Sequence, residues 1–291
     1  MQVRRSLFLS TADKLFSMVV RFGTLIVTAR LMTPQEIGIA VLGTVVLGVA
    51  GVIREFGGAP YLIQADEVTP ERVRTVFTAQ FLFTLPLALI VFVCAEFAGA
   101  FYQAPGLRDF LWVTALCFLI GPFVAPLYAL LGRRMAFAQI AMAGILATLA
   151  YSGAAIGLAF AGFSYMSFAW ASLISGFTGF VTLLIWRPDY AIYRFSLHDW
   201  RQVVHFGAAD SARNLLYYAL ENLPLLVFGR TIGAAAVGLF QRATTLSALP
   251  NATLLSGVTP VLLPAFANHA RSGRELKDAF LRSVALMTGL S

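Results

Sequence analysis

Cysteine is scarce in this sequence. Cys94 and Cys117 are its only two cysteines, and both lie within apolar stretches. Two isolated thiols are too few for a disulfide framework, a C-x-x-C redox pair or a thiolate zinc site. We therefore expect no metal site and no cofactor.

Charge is the second shortage. Only 12% of the residues are charged, against about 25% in soluble proteins, whereas 59% are hydrophobic and the mean hydropathy is +0.79. No hydrophilic stretch is long enough to fold as a soluble catalytic domain. The formal charge of +7 comes from basic residues between the apolar stretches, which favours anionic lipid over nucleic acid as their partner. The composition indicates a polytopic membrane protein.

Apolar stretches of roughly 20 residues or more recur along the whole chain, and each can cross a hydrocarbon core of about 30 Å as a helix. They are continuously apolar rather than alternating, which excludes a closed barrel. We predict an all-α protein with the start of a ninth span near residue 275. The complete predicted spans are 11–32, 37–58, 73–97, 107–131, 137–161, 166–186, 203–229 and 235–265.

Arginine and lysine are distributed unevenly between alternate loops. One side receives little more than Arg30, Arg108 and Arg230. The other side is richer and receives Arg4, Arg5, Arg54, Arg72, Arg74, Arg133, Arg134, Arg187, Arg194, Arg201, Arg271, Arg274 and Lys277. Because basic loops stay on the cytoplasmic side, we predict a cytoplasmic N-terminus.

One segment is nearly repeated two hundred residues later. The stretch ARLMTPQEIGIAVLG at 29–43 aligns with GRTIGAAAVGLFQRA at 229–243, placing Gly38 over Gly238. Each copy ends one apolar span, makes a short turn and opens the next, so we predict that the seventh span repeats the first. Six spans separate the copies, and an even number keeps both in the same orientation about an axis along the membrane normal, as in several transporter folds.

The stretch WRPDYAIYRFSLHDWRQ separates six spans from the remainder. It predicts an N-terminal six-helix lobe at 1–187, a cytoplasmic linker at 188–200 and the start of a C-terminal lobe at 201–291. The expected fold is a two-lobed transporter with parallel six-helix repeats, of which the second lobe is incomplete.

Polar residues within the spans collect on single helical faces. The first span carries Lys14, Ser17, Arg21, Thr24 and Thr28 at spacings of three and four. The seventh carries Asp210, Arg213, Asn214, Tyr217 and Glu221, and the eighth carries Arg242 with Thr245, Thr253 and Ser256. Charge in hydrocarbon costs several kcal/mol or more without partners, so these faces predict a polar cavity.

Two roles stay open for the charged members of these faces. Arg21 and Arg213 either line the cavity or form structural ion pairs with Asp210 or Glu221. The two carboxylates could instead titrate and couple transport to an ion, because burial raises the pKa of a carboxyl group.

Several blocks of the sequence carry a family resemblance. They are ARLMTPQEIGIAVLGTVV, YLIQADEVTPERVRTVFTAQF, LLGRRMAFAQIA, FGRTIGAAAVGLFQRATTLSALP and TPVLLPAFANHA. In this order, from about residue 10 to the end, they resemble the bacterial polysaccharide transporter family. This family contains the O-antigen and exopolysaccharide flippases of the multidrug/oligosaccharidyl-lipid/polysaccharide superfamily.

The resemblance implies a function and a set of partners. Such proteins move polyprenyl-pyrophosphate-linked oligosaccharide across the bacterial inner membrane for O-antigen, capsule or exopolysaccharide synthesis, alongside a polymerase and glycosyltransferases. For such a substrate we predict that the polar faces supply the binding residues, namely Lys14, Arg21, Arg213, Asn214 and Arg242, and the guanidinium of arginine suits a pyrophosphate. Family members have two six-helix bundles and two further helices, so this chain is expected to be a fragment or a truncation.

Three other functions stay open. A multidrug exporter of the same superfamily would favour an acidic cavity for organic cations, whereas the first span offers Lys14 and Arg21. A membrane enzyme of polysaccharide assembly would need an acid–base set or a nucleophile, and His198, His205 and His269 are scattered without a partnered carboxylate motif. An inactive truncated transporter is the third.

Overall fold

The computed structural model describes residues 2–55, 62, 69–134, 136–186, 190–197, 200–245 and 247, and it describes no side chains at 2–15, 55, 190–191 or 202–210. The described part is helical and contains no strand. Its α-helices are α1 Gln2–Leu31, α2 Pro34–Glu55, α3 Pro70–Phe101, α4 Gly106–Arg133, α5 Phe137–Phe160, α6 Met166–Trp186, α7 Trp200–Thr231 and α8 at 234–245. A short 3₁₀ turn, Tyr190–Tyr193, lies between α6 and α7.

Five of the helices, α2 to α6, are long and apolar enough to cross a membrane over their described residues. The prediction of an all-α polytopic membrane protein is therefore confirmed. Helices α1 and α7 overlap the first and seventh predicted spans but are not among these five. Helix α8 covers the start of the eighth, and the rest of that span and the segment near residue 275 lie outside the described residues.

Local sequence signals set the helix starts. Helix α2 begins with a capping box, in which the Thr33 backbone N–H and hydroxyl donate to Glu36 at 2.7 and 2.9 Å. The Glu36 backbone N–H donates in return to the Thr33 hydroxyl at 3.3 Å. Helix α3 begins with Pro70 after Thr69, whose hydroxyl accepts from the Arg72 backbone at 3.3 Å.

The helices pack both on sequence neighbours and on helices farther along the chain. Helix α3 packs on α4, and α5 packs on α6. Helix α1 lies against α5, α4 lies against α6, and α2 lies between α4 and α7. Large apolar side chains such as Val93 and Phe97 point outward, which suits a surface in contact with lipid.

The connections gather at two ends of this bundle. We call one the α1–α2 end, formed by the turns at 32–33, 102–105, 161–165 and 232–233. There Ser164 donates to Glu36, and the Arg230 guanidinium lies 5.2 Å from the Phe101 ring centre. We call the other the α6–α7 end, where Arg133 donates to the Leu62 carbonyl oxygen at 3.3 Å.

The chain forms two compact units, Met1–Gly238 and Leu239–Ser291. Helix α7 belongs to the first unit together with the six helices before it. The division into lobes at 1–187 and 201–291 stays a prediction.

Candidate functional site

The repeated segment folds into the same helical corner twice. Helix α1 ends at Leu31 and α2 begins at Pro34, while α7 ends at Thr231 and α8 begins at residue 234. Equivalent backbone hydrogen bonds hold both corners. In the first corner, the Met32 N–H donates to the Thr28 carbonyl oxygen at 2.9 Å and the Ile37 N–H donates to that of Thr33 at 3.2 Å. In the second corner, the Ile232 N–H donates to the Phe228 carbonyl oxygen at 2.9 Å and the Val237 N–H donates to that of Gly233 at 3.4 Å. The offset of two hundred residues thus holds in the backbone as well as in the sequence.

The two corners touch each other in a reciprocal way. A Cβ atom at Gly38 would overlap the carbonyl oxygen of Ala234, and a Cβ atom at Gly238 would overlap the carbonyl oxygen of Pro34. In the repeat, Pro34 corresponds to Ala234 and Gly38 to Gly238, so each copy makes the same contact with the other. This reciprocity is the signature of a local two-fold axis between the corners. The absence of a side chain at both glycines permits the close approach.

From this corner the contact continues inward along α2 and α7. The fully buried Leu42 fills the space above Gly229, where a Cβ atom would lie 3.1 Å from Leu42 Cδ1. Deeper in, the Tyr218 hydroxyl donates to the Val45 carbonyl oxygen at 3.3 Å. Its ring end lies against Gly48, where it takes the place of a side chain. The contact therefore extends over several helical turns.

Tyr102 joins this contact from the α3–α4 turn. A Cβ atom at Gly229 would lie 3.2 Å from Tyr102 Cδ1. Burial raises the pKa of the Tyr102 hydroxyl, so the phenol stays neutral at physiological pH.

The predicted polar face of α7 lies beside the α2 contact. Arg213, Asn214, Tyr217 and Glu221 lie roughly a quarter turn around the helix from the side that meets α2. Arg213 donates to the Asn214 side-chain oxygen at 3.4 Å, and the Tyr217 hydroxyl lies near the Glu221 carboxylate. The structure thus brings four of the five predicted residues together, and the side chain of Asp210 lies outside the described residues.

The polar face of α1 has a different setting, because it lies against α5. Thr24 and Thr28 are buried, and their hydroxyls donate to the carbonyl oxygens of Val20 and Thr24 at 2.8 Å. The Ser17 hydroxyl lies 3.4 Å from the Thr148 hydroxyl of α5.

Arg21 belongs to this same face of α1. Its side chain is exposed and interacts electrostatically with the phenol of Tyr151 on α5. No ion pair joins Arg21 to Glu221 among the described side chains. The side chain of Lys14 is outside the described part, so the cavity-lining role of α1 stays a prediction.

Arg242 lies on α8 in the second compact unit. Its side chain is half-buried, and the Gln241 side chain beside it donates to the Thr245 hydroxyl at 3.3 Å. The substrate-binding role of Arg242 likewise stays a prediction.

Arg54, near the end of α2, was counted in the sequence only among the basic residues of the loops. Its guanidinium lies 5.2 Å from the Phe118 ring centre and occupies the space above Gly121 on α4. A Cβ atom at Gly121 would lie 2.8 Å from Arg54 Cζ, so the glycine makes room for the cation. The sequence could not have predicted this contact, because many spans end in an arginine and many later spans contain a glycine.

Comparison with known proteins identifies the family. A family of polysaccharide biosynthesis proteins matches residues 27–291. The chain belongs to this family. The resemblance inferred from the sequence blocks is thereby confirmed. No solved structure matches the chain.

Three curated relatives match over most of the chain. The succinoglycan biosynthesis transport protein ExoT of Rhizobium meliloti is 27% identical over 98% of the chain and 56% of its own length. The lipopolysaccharide biosynthesis protein WzxC of Escherichia coli is 25% identical over 90% and 54%, and the teichuronic acid biosynthesis protein TuaB of Bacillus subtilis is 22% identical over 83% and 50%. The chain spans about half the length of these relatives.

Proposed function

We propose that this chain works in a flippase for polyprenyl-pyrophosphate-linked oligosaccharide, carrying it from the inner to the outer leaflet of a bacterial inner membrane. The product would feed O-antigen, capsule or exopolysaccharide synthesis, beside a polymerase and the glycosyltransferases that build the lipid-linked unit. The family supports this proposal, as does the similarity to ExoT, a succinoglycan biosynthesis transport protein.

The observation that carries the proposal is the reciprocal contact of the two corners around Gly38 and Gly238. A flippase must expose a polar site to one side of the membrane at a time, because pyrophosphate and sugar hydroxyls cannot cross hydrocarbon unshielded. The corner contact closes the α1–α2 end. Its opening, with closure elsewhere, is the step that alternating access between two repeats requires.

The charge pattern sets the direction of transport in this proposal. The arginine-rich connections lie at the α6–α7 end, which we assign to the cytoplasm together with the N-terminus. The α1–α2 end then faces outward, so the corner contact is the proposed gate on the outer side.

The polar face of α7 supplies the proposed binding groups. Arg213 and Asn214 are hydrogen-bonded to each other on this face and offer donors to pyrophosphate or glycan oxygens. Lys14, Arg21 and Arg242 are assigned to the same task. Asp210 and Glu221 either pair with these cations or bind the coupling ion.

Leaflet distribution of the lipid-linked glycan tests the proposal. In the full-length protein in its native host, Arg213→Ala is expected to accumulate the glycan on the cytoplasmic leaflet, detected by its protection from a membrane-impermeant oxidant. The control is Arg108→Ala, since Arg108 pairs with Asp109 at 3.1 Å in the first turn of α4 and is not part of the polar face of α7. Unchanged export at normal protein level would refute the assignment of Arg213, and unchanged export after deletion of the whole protein would refute the function.

A further inference from the structure

The segment between α6 and α7 is attached to the side of the helix bundle. The Ser196 backbone N–H donates to the Thr78 hydroxyl at 2.9 Å, and the Tyr193 hydroxyl donates to the Phe123 carbonyl oxygen at 3.0 Å. Ile192 is buried in the apolar core beside Leu62. The backbone of this segment is therefore held against α3 and α4.

These contacts fix the depth of the segment relative to the membrane. The span predicted for α3, residues 73–97, is about 36 Å long at about 1.5 Å per residue, so it extends past a hydrocarbon core of about 30 Å by about 3 Å at each end. Ser196 contacts Thr75 and Thr78, which lie about 3 to 8 Å from residue 73 along the helix. The segment therefore lies at the boundary between the headgroups and the hydrocarbon core.

Large apolar side chains project outward from the segment at this depth. Phe195 is 66% exposed, Leu197 60% and Trp200 47%. The Phe195 ring also packs on Phe77 and Phe81, with ring centres 5.9 and 5.8 Å away. Aromatic rings with one face on protein and one face free are suited to the membrane interface.

Two cations flank these side chains. Arg194 and Arg201 are both exposed, and the Arg201 guanidinium lies 5.9 Å from the Trp200 ring centre. Apolar groups that reach the acyl boundary with arginines at headgroup level make a surface complementary to anionic lipid.

We propose that residues 194–197, Trp200 and Arg201 form an interfacial anchor that binds anionic bilayer lipids and holds the start of α7 at the membrane surface. The partner is the phosphate of bilayer headgroups, contacted by Arg194 and Arg201, while Phe195, Leu197 and Trp200 enter the interface. This role is independent of which substrate the protein moves.

Tryptophan quenching in nanodiscs tests the anchor. The chain has four tryptophans, and replacing Trp112, Trp170 and Trp186 by phenylalanine leaves Trp200 as the only emitter. Its fluorescence is measured with brominated phosphatidylglycerol and with brominated phosphatidylcholine, and the ratio of quenching gives the local preference for the anionic lipid. We expect a clear preference, which falls roughly five-fold in Arg194→Gln and in Arg201→Gln.

Arg230→Gln is the matched control, because Arg230 is an exposed arginine at the opposite end of α7, stacked on Phe101. It should leave the preference at Trp200 unchanged. Equal quenching by the two lipids would overturn the anionic specificity. Quenching by aqueous iodide alone, with none from either lipid, would overturn the anchor altogether. Because no step of the assay depends on transport, failure of the flippase assignment would not affect it.

Discussion

Replacing Gly38 by alanine is expected to force the two helical corners apart. The added methyl group would lie 2.5 Å from the carbonyl carbon of Ala234, whereas ordinary contacts between carbon atoms are about 3.5–4.0 Å. The backbones must therefore separate by about 1 Å or more, since a carbonyl group cannot rotate away as a side chain can. Overpacking of this kind costs about 1–3 kcal/mol, which would increase the open population about 5- to 150-fold.

Cysteine labelling measures that population. Val45→Cys places a thiol at a buried position deeper along the contact, in a chain freed of its own thiols by Cys94→Ser and Cys117→Ala. A membrane-impermeant maleimide added to intact cells should modify the thiol slowly when the corners are closed. Adding Gly38→Ala should increase the labelling rate by the factor given above.

Gly23→Ala is the matched control, because a methyl group at this glycine of α1 meets no atom within 4 Å. It should leave the labelling rate at position 45 unchanged. Gly238→Ala should act in the same direction as Gly38→Ala, since its methyl group would lie 3.0 Å from the Gly38 nitrogen. Labelling no faster in Gly38→Ala than in Gly23→Ala, at equal protein level, would refute the close backbone contact and the gate built on it.

Two further predictions concern the contacts around this end. Glu36→Ala removes the carboxylate that accepts hydrogen bonds from Thr33 and Ser164, so it should lower stability by about 1–2 kcal/mol. The loss is measured as a lower unfolding temperature in detergent. An unchanged unfolding temperature would contradict the capping box. Tyr218→Phe keeps the ring and removes the donor to Val45, so it should lower stability by about 1 kcal/mol in the same measurement. Tyr218→Ala also removes the ring and should lower stability by about 3–5 kcal/mol. Equal losses in the two variants would show that the hydroxyl, not the ring, holds α2 to α7.

The sequence was sufficient to place the membrane-spanning helices. The predicted spans 107–131, 137–161 and 166–186 differ by two residues or fewer at each end from Gly106–Arg133, Phe137–Phe160 and Met166–Trp186. Continuous apolar runs between turns carry this signal by themselves. The sequence also indicated the repeated corner, because the turns at 32–33 and 232–233 follow Arg30 and Arg230, which are two hundred positions apart.

Helix neighbours were beyond the reach of the sequence. The stripe of Ser17, Arg21, Thr24 and Thr28 predicts that α1 has a polar side, but it does not say what covers that side. In the structure α5 covers it, through Thr148 and Tyr151. Hydroxyls that bond to their own helix backbone look the same in a sequence as hydroxyls that face a cavity.

The linker shows the same limit at the α6–α7 end. Polar and aromatic residues at 188–200 predict a connection, whereas the hydrogen bond from Ser196 to Thr78 joins residues 118 positions apart. Nothing in the sequence around Thr78 indicates that its hydroxyl accepts a hydrogen bond from a residue so far away. Only the folded arrangement of α3 and α4 distinguishes an attached segment from a free one.

The reciprocal glycines explain how a corner contact within lipid can be both tight and reversible. Lipid tails are as apolar as leucine, so apolar side chains gain little by moving from lipid to a helix interface, and close packing of small residues supplies much of the attraction instead. At Gly38 and Gly238 that packing is backbone against backbone, and it falls off steeply with separation. A separation of about 1 Å would therefore lose about half of the attraction at both glycines together, because the local two-fold axis couples them. A contact of this kind favours one closed and one open arrangement over intermediate ones, which is the behaviour that the proposed gate requires.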